Sequence, residues 1–258
     1  MPSKDKEFFC IEGTHLLEEL LNSGIAPESI IATQVWQKKN SSLITNLDKA
    51  LISSVSIEAL TSAVSAKTPD GVAALVKKSY LTEFNFSLKD DFILVLDRIQ
   101  DPGNLGNLFR TALAGGVNKV LIGGGANPLS PKVLRASCGS IFKLPFLRIE
   151  GDDNTVASKT LIYLQNFKRN GFQIISTSSQ AKSSKTSLKP YWELDWLKPT
   201  VVILGNEGSG IHNKIQEAFN ETITIPHNEL VESLNVACVA VPLLLERKRV
   251  ALIKNSKL

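Results

Sequence analysis

Between Phe92 and Leu204 the chain alternates short apolar runs with stretches of helical spacing. The runs Phe92–Leu96, Lys119–Ile122, Gln173–Ser176 and Val201–Leu204 read as strands covered on both faces, where continuous hydrophobicity is required. Helical stretches at Asn104–Ala114, Pro131–Ser137 and Ala157–Asn170 separate them. This alternation predicts an α/β fold with a parallel sheet and crossover helices. Before residue 79 the pattern is finer. Phe8–Ile11, Ser29–Thr33 and Gly71–Val76 read as strands, and His15–Asn22 and Ile57–Ser65 as helices, which makes a small α/β module. Residues 79–90 follow no period and predict a linker. The expected organisation is therefore a module at 1–78, a linker at 79–90 and a larger domain at 91–258.

The stretch Ile223 to Glu246 carries the most structure-determining detail. It opens as a β-branched strand, stops at Pro226, crosses a polar loop and is expected to enter a long apolar helix at Ser233, with Pro242 kinking it. Such a loop offers backbone amides and carbonyls to a ligand, although an ordinary capped helix start has the same signature. Upstream, Asp97 to Asn104 contains a Pro-Gly turn, and Asn104 is the expected cap of the next helix. Leu105, Leu108, Phe109, Ala112 and Leu113 define its expected buried face. Asn107, Arg110 and Thr111 then look outward near the carboxyl end of the sheet, where open α/β sheets bind ligands. The planar fork of Arg110 suits a phosphate, and a surface salt bridge is the alternative. Lys132, Arg135 and Ser137, beside the Gly139-Ser140 turn, suit an RNA backbone or a solvated face equally well. The glycine-rich turn Leu204 to Ile211 lacks the ending of a P-loop, and the chain has no GxGxxG, so a nucleotide-like ligand would be held differently, with Glu207 at the middle of the turn.

Composition narrows the classes. Over 258 residues, 43% hydrophobic and 21% charged is a globular balance, and no apolar run is long enough to span a membrane. Met1 to Glu7 is charged and leads into no apolar signal segment, so a cytoplasmic protein is expected. Cys10, Cys138 and Cys238 form no CxxC pair and share no metal-ligand spacing with the histidines, so reduced thiols and no metal site are expected. A net charge of +4 permits an RNA partner without demanding one.

Three motifs in order resemble the SpoU (TrmH-type) branch of the SPOUT RNA methyltransferases. They are Asp101-Pro-Gly-Asn-Leu-Gly-Asn-Leu-Phe-Arg110, then Leu204-Gly-Asn-Glu-Gly-Ser-Gly-Ile211, then Ile225-Pro through Glu232-Ser-Leu-Asn-Val236. The resemblance covers about residues 91–254. The leader Phe8-Phe-Cys-Ile-Glu-Gly-Thr-His15 is similar to a ribosomal-protein-like RNA-binding domain that often precedes this catalytic domain. The resemblance implies a trefoil-knotted SPOUT domain, S-adenosylmethionine as cofactor and methylation of a ribose 2′-hydroxyl. It also implies a homodimer through the C-terminal domain. Ribosomal RNA is the expected substrate; transfer RNA, or a non-catalytic RNA-binding role, are the alternatives. Carried over by position, the cofactor would meet Thr177, Gly205, Ile225 and Leu234, and the functional side chains would be Asn104, Arg110, Glu207, Ser233 and Asn235. Two positions depart from the pattern: His227 stands where methionine commonly follows Ile-Pro, and Ala237 where serine is frequent. The resemblance implies a base-like role for Arg110, assisted by the RNA phosphate. Because a guanidinium stays protonated in proteins, binding the phosphate beside the target ribose is the other role, and the one preferred on physical grounds.

Overall fold

The computed structural model describes residues 7–85, 87, 89–178, 188–228 and 230–255; residues 1–6 of the expected module, Phe86 and Leu88 of the expected linker, Glu229 of the third motif and the last three residues lie outside this description. Residues up to 77 build a four-stranded sheet of β1 (Phe8–Glu12), β2 (Ser29–Ala32), β3 (Ile52–Ser54) and β4 (Val72–Lys77), in the order β1-β4-β2-β3. Helices α1 (Thr14–Asn22), α2 (Gln34–Lys39), α3 (Ser41–Ile44) and α4 (Ile57–Ala63) connect it. α2, α3 and β3 gave no periodic signal, since each is too short to complete two periods.

The rest forms a seven-stranded sheet, every neighbouring pair parallel, in the order β7-β6-β5-β10-β8-β11-β9. Its strands are β5 (Phe92–Asp97), β6 (Lys119–Gly123), β7 (Phe146–Ile149), β8 (Gln173–Thr177), β9 (Leu188–Pro190), β10 (Thr200–Leu204) and β11 (Thr222–Thr224). Its helices are α5 (Pro102–Gly115), α6 (Pro131–Ser137), α7 (Asp153–Arg169), α8 (Asn213–Ala218) and α9 (Val236–Asn255). Alternation along β5 shows why its run is unbroken. Phe92, Leu94 and Leu96 join the core that also contains residues of α5, α6 and α9, whereas Ile93 and Val95 join the opposite core with residues of α7 and α8. Gly115 lets α5 and α9 meet closely, because a Cβ there would stand 2.8 Å from Leu244 Cβ.

The first core does not stop at the larger sheet. It continues into Phe9, Leu16 and Leu20 of the small one, and the rings of Phe9 and Phe142 stack 6.5 Å apart. Buried Glu12 accepts from the Ser65 backbone N–H at 2.8 Å and from Arg135 Nη1 at 2.8 Å. Lys143 Nζ meets Glu19 Oε2 nearby.

Several sequence expectations change here. Arg135 is exposed and gives its Nη1 to Glu12 and Ser65, whereas Ser137 is buried and donates to the Leu134 carbonyl, so Ser137 is not an RNA contact. The cap of α5 is Asp101, whose carboxylate accepts from the Asn104 N–H at 2.8 Å; Asn104 lies inside the helix. Leu113 is exposed, and the buried α5 face is completed by Gly106 and Gly115. α9 starts at Val236 and not at Ser233, because Asn235 Oδ1 accepts from the Ala237 N–H and fixes the entry there. It remains helical through Pro242.

Candidate active site

The carboxyl ends of β5, β8, β10 and β11 lie side by side, and the turns leaving β10 and β11 close over them. The turn after β10 holds its shape through Asn206. Its backbone pairs with Gly210 in both directions (3.1 and 3.0 Å), and its side-chain oxygen accepts from the N–H groups of Gly208 and Ser209, each at 2.9 Å. A Cβ on Gly205 would lie 2.4 Å from the Ile211 nitrogen and 2.5 Å from the Gly210 carbonyl carbon. Glycine is therefore required so that the turn can fold back on itself.

The same turn is clamped to the end of β5. Asp97 is fully buried, and its Oδ2 accepts from the His212 N–H at 2.7 Å. Arg98 adopts a left-handed φ of 56°, which points its guanidinium to the Gly210 carbonyl (3.1 Å) while its own carbonyl accepts from Asn206 (2.9 Å). Sequence reasoning passed over Asp97, Arg98 and Asn206; only Asn206, as a turn former after glycine, left a local signal.

These turns enclose a cavity of about 440 Å³ whose wall includes Thr177, Gly205, Glu207, Ile225, Ser233 and Leu234, all expected from the sequence. Val239 and Leu243 of α9 supply apolar lining. The Thr177 hydroxyl donates to the Ile203 carbonyl at 3.0 Å, which fixes the end of β8 to β10. Asn104 and Asn235 stand beside the cavity in one hydrogen-bonded chain. Asn235 Nδ2 donates to Asn104 Oδ1 at 3.1 Å, and Asn104 Nδ2 donates to Glu207 Oε1 at 3.0 Å. A single path thus joins one residue from each of the three motifs.

Arg110 is not part of that path. It is exposed on α5 and does not line the cavity; its described contact is from Nη1 to Cys138 Sγ at 3.7 Å. Cys138, at the end of α6, has a φ of 46°. Among the described residues the cavity wall contains Glu207, Glu232 and several hydroxyls but no lysine or arginine. It therefore suits a ligand carrying positive charge better than one carrying phosphates. No group of three or more His, Cys, Asp or Glu side chains placed to hold a metal ion occurs among the described residues.

Comparisons with known proteins agree on one family. The sequence model described as SpoU rRNA Methylase family matches residues 91–245, and that described as MRM3-like substrate binding domain matches residues 4–74. An uncharacterized tRNA/rRNA methyltransferase of Synechocystis sp. is 37% identical over 244 residues, covering 93% of this chain and 83% of that protein. The 23S rRNA (guanosine(2553)-2'-O)-methyltransferase of Bacillus subtilis is 32% identical over 234 residues, covering 90% of this chain and 85% of its own. Among solved structures, the SpoU methyltransferase AviRb of Streptomyces viridochromogenes in complex with AdoMet shares the fold at TM-score 0.78 and 22% identity, covering 95% of this chain and 91% of that one. An RNA 2'-O ribose methyltransferase aligns at TM-score 0.75 and 28% identity, covering 96% and 90%.

Proposed function

The chain belongs to the SpoU rRNA methylase family, and on that premise we propose that it transfers a methyl group from S-adenosylmethionine to a ribose 2′-hydroxyl of ribosomal RNA. The observation that carries this reading is the cavity joined to the Glu207–Asn104–Asn235 path, with all three motifs meeting at one end of the sheet. The cavity fits the cofactor in kind: its size falls in the range of small-molecule sites, and its described wall carries carboxylates without lysine or arginine. Thr177 and the backbones of Gly205, Ile225 and Leu234 would hold it. When bound, the cofactor supplies a methyl group already activated on a sulfonium.

The protein's own task is alignment. Holding a hydroxyl in attack geometry contributes roughly 7–11 kcal/mol to lowering a barrier. Glu207 and Asn104 hold the first two motifs in register, and Asn235 ties in the third. Ser233 presents its hydroxyl at the wall. Arg110 grips the phosphate beside the target ribose and steadies the 2′-hydroxyl, a role suited to its exposure.

The reading extends to the whole chain. Residues 1–78 bind RNA, 79–90 connect, and 91–258 perform the transfer in a trefoil-knotted domain. Support for the knot is that the 205–211 turn shares one cavity with Ile225, His227, Ser233 and Leu234 while α9 packs back against α5. The protein works as a homodimer in the cytoplasm. Val241, Leu245 and Ile253 lie exposed on α9, and Arg110, standing outside its own chain's cavity, is free to complete the partner's. No helix among the described residues is long and apolar enough to cross a membrane.

Mapping 2′-O-methyl groups in RNA from cells with and without the gene tests the assignment. One ribosomal position should lose its methyl group in the deletion and regain it on complementation. An unchanged ribosomal map would refute the substrate assignment.

A further inference from the structure

His227 sits in the cavity wall, and the bond that fixes its ring also fixes its chemistry. Nδ1 lies 2.7 Å from the Ile225 carbonyl oxygen. A carbonyl oxygen only accepts, so Nδ1 carries the proton. In the neutral ring Nε2 is then left as an acceptor. The ring is half-buried, and among the described residues Nε2 has no protein partner. The same wall also carries Thr224, Glu232 and Ser233.

We infer that His227 Nε2 accepts a hydrogen bond from the adenosine part of the cofactor, either the exocyclic amine of the base or a ribose hydroxyl. The inference rests on the methyltransferase reading above. The charged ammonium of the methionine part finds stronger acceptors in the carboxylates of Glu207 and Glu232, so a neutral acceptor is left to a neutral donor. A methionine in this place offers no comparable acceptor, so the contact belongs to this chain's own sequence. It adds a binding side chain to a site otherwise expected to hold its cofactor through backbone groups.

Calorimetry on the full chain with S-adenosylhomocysteine tests it. In His227→Asn the amide N–H still reaches the Ile225 carbonyl while the position of Nε2 is vacated. In His227→Gln an amide oxygen returns close to that position. Affinity should fall about three- to tenfold in the Asn variant and stay within about twofold in the Gln variant. S-inosylhomocysteine, which lacks the amine, and the 2′- and 3′-deoxy analogues identify the donor. The analogue missing it should bind the wild type more weakly and be indifferent to His227→Asn. Unchanged affinity in His227→Asn, or equal loss in both variants, overturns the inference; the second result would make His227 a prop for Ile225. Failure of the wild type to bind S-adenosylhomocysteine at all would remove the cofactor reading itself, and this inference with it.

Discussion

Arg110 makes its described contact with a thiol sulfur on an exposed helix face, so little of the fold depends on it. Arg110→Ala should leave thermal stability within about 0.5 kcal/mol of wild type. On the proposed reading the same change should abolish methyl transfer and spare S-adenosylhomocysteine affinity, and Arg110→Lys should fail nearly as badly because an ammonium loses the fork. Single-turnover methylation with saturating RNA decides; near-normal rates in Arg110→Ala would mean the reacting centre lies elsewhere. Gly205 is the opposite case. The resemblance placed Gly205 against the cofactor, but the space a side chain there would need is filled by the Gly210–Ile211 backbone. Gly205→Ala should destabilise the protein by about 1–3 kcal/mol and weaken cofactor binding through the distorted turn. A variant with unchanged melting and lost binding would restore the ligand explanation. Among the thiols, burial and then the neighbouring Glu12 carboxylate push Cys10 up to about 11, whereas Cys238 is exposed. Mass spectrometry after brief iodoacetamide treatment of the protein diluted below the micromolar range should find Cys238 labelled well before Cys10.

At the scale of elements, the parallel sheet and its crossover helices were legible because runs such as Phe92–Leu96 must satisfy two cores at once. The convergence of Gly205, Glu207, Ile225 and Leu234 on one cavity was legible from ordered motifs. Two helix starts were misread, for one reason: several residues near each start are able to cap, and geometry chooses among them. Asp101 caps α5 and Asn235 caps α9, each three or two residues from the rejected candidates Asn104 and Ser233. The Asp97–Arg98 clamp was illegible, since it depends on a left-handed φ at an arginine that nothing local announces. The caps yield a prediction of their own. Accepting from the Asn104 N–H, and secondarily the presence of Lys132, holds the Asp101 carboxyl below its usual range. Its stabilisation is therefore complete above the ordinary carboxylate range and lost as pH falls through the lowered value. Asp101→Ala should cost about 1 kcal/mol at neutral pH, read by chemical denaturation, with the difference from wild type shrinking in acid.

For the molecule as a whole, the proposed dimer depends on the apolar residues left exposed on α9. Sedimentation should give a dimer at micromolar concentration, and Leu245→Glu should shift it toward monomer; a wild-type monomer with full activity would dismiss the assembly. The two sheets are fastened through Glu12, Ser65 and Arg135. Arg135→Ala leaves a buried carboxylate short of its cation, and should cost about 1–3 kcal/mol and speed proteolysis within residues 79–90. That fastening also reaches toward the chemistry. α6 holds the small sheet through Arg135 and, three residues on, sets Cys138 against Arg110. On the proposed reading, a fixed span would then separate the module that anchors RNA from the place where Arg110 presents a ribose. Such an enzyme would act as a ruler: moving the anchored feature along a helix by a base pair would carry a different nucleotide to Arg110, and the modified position would follow the distance rather than the letter.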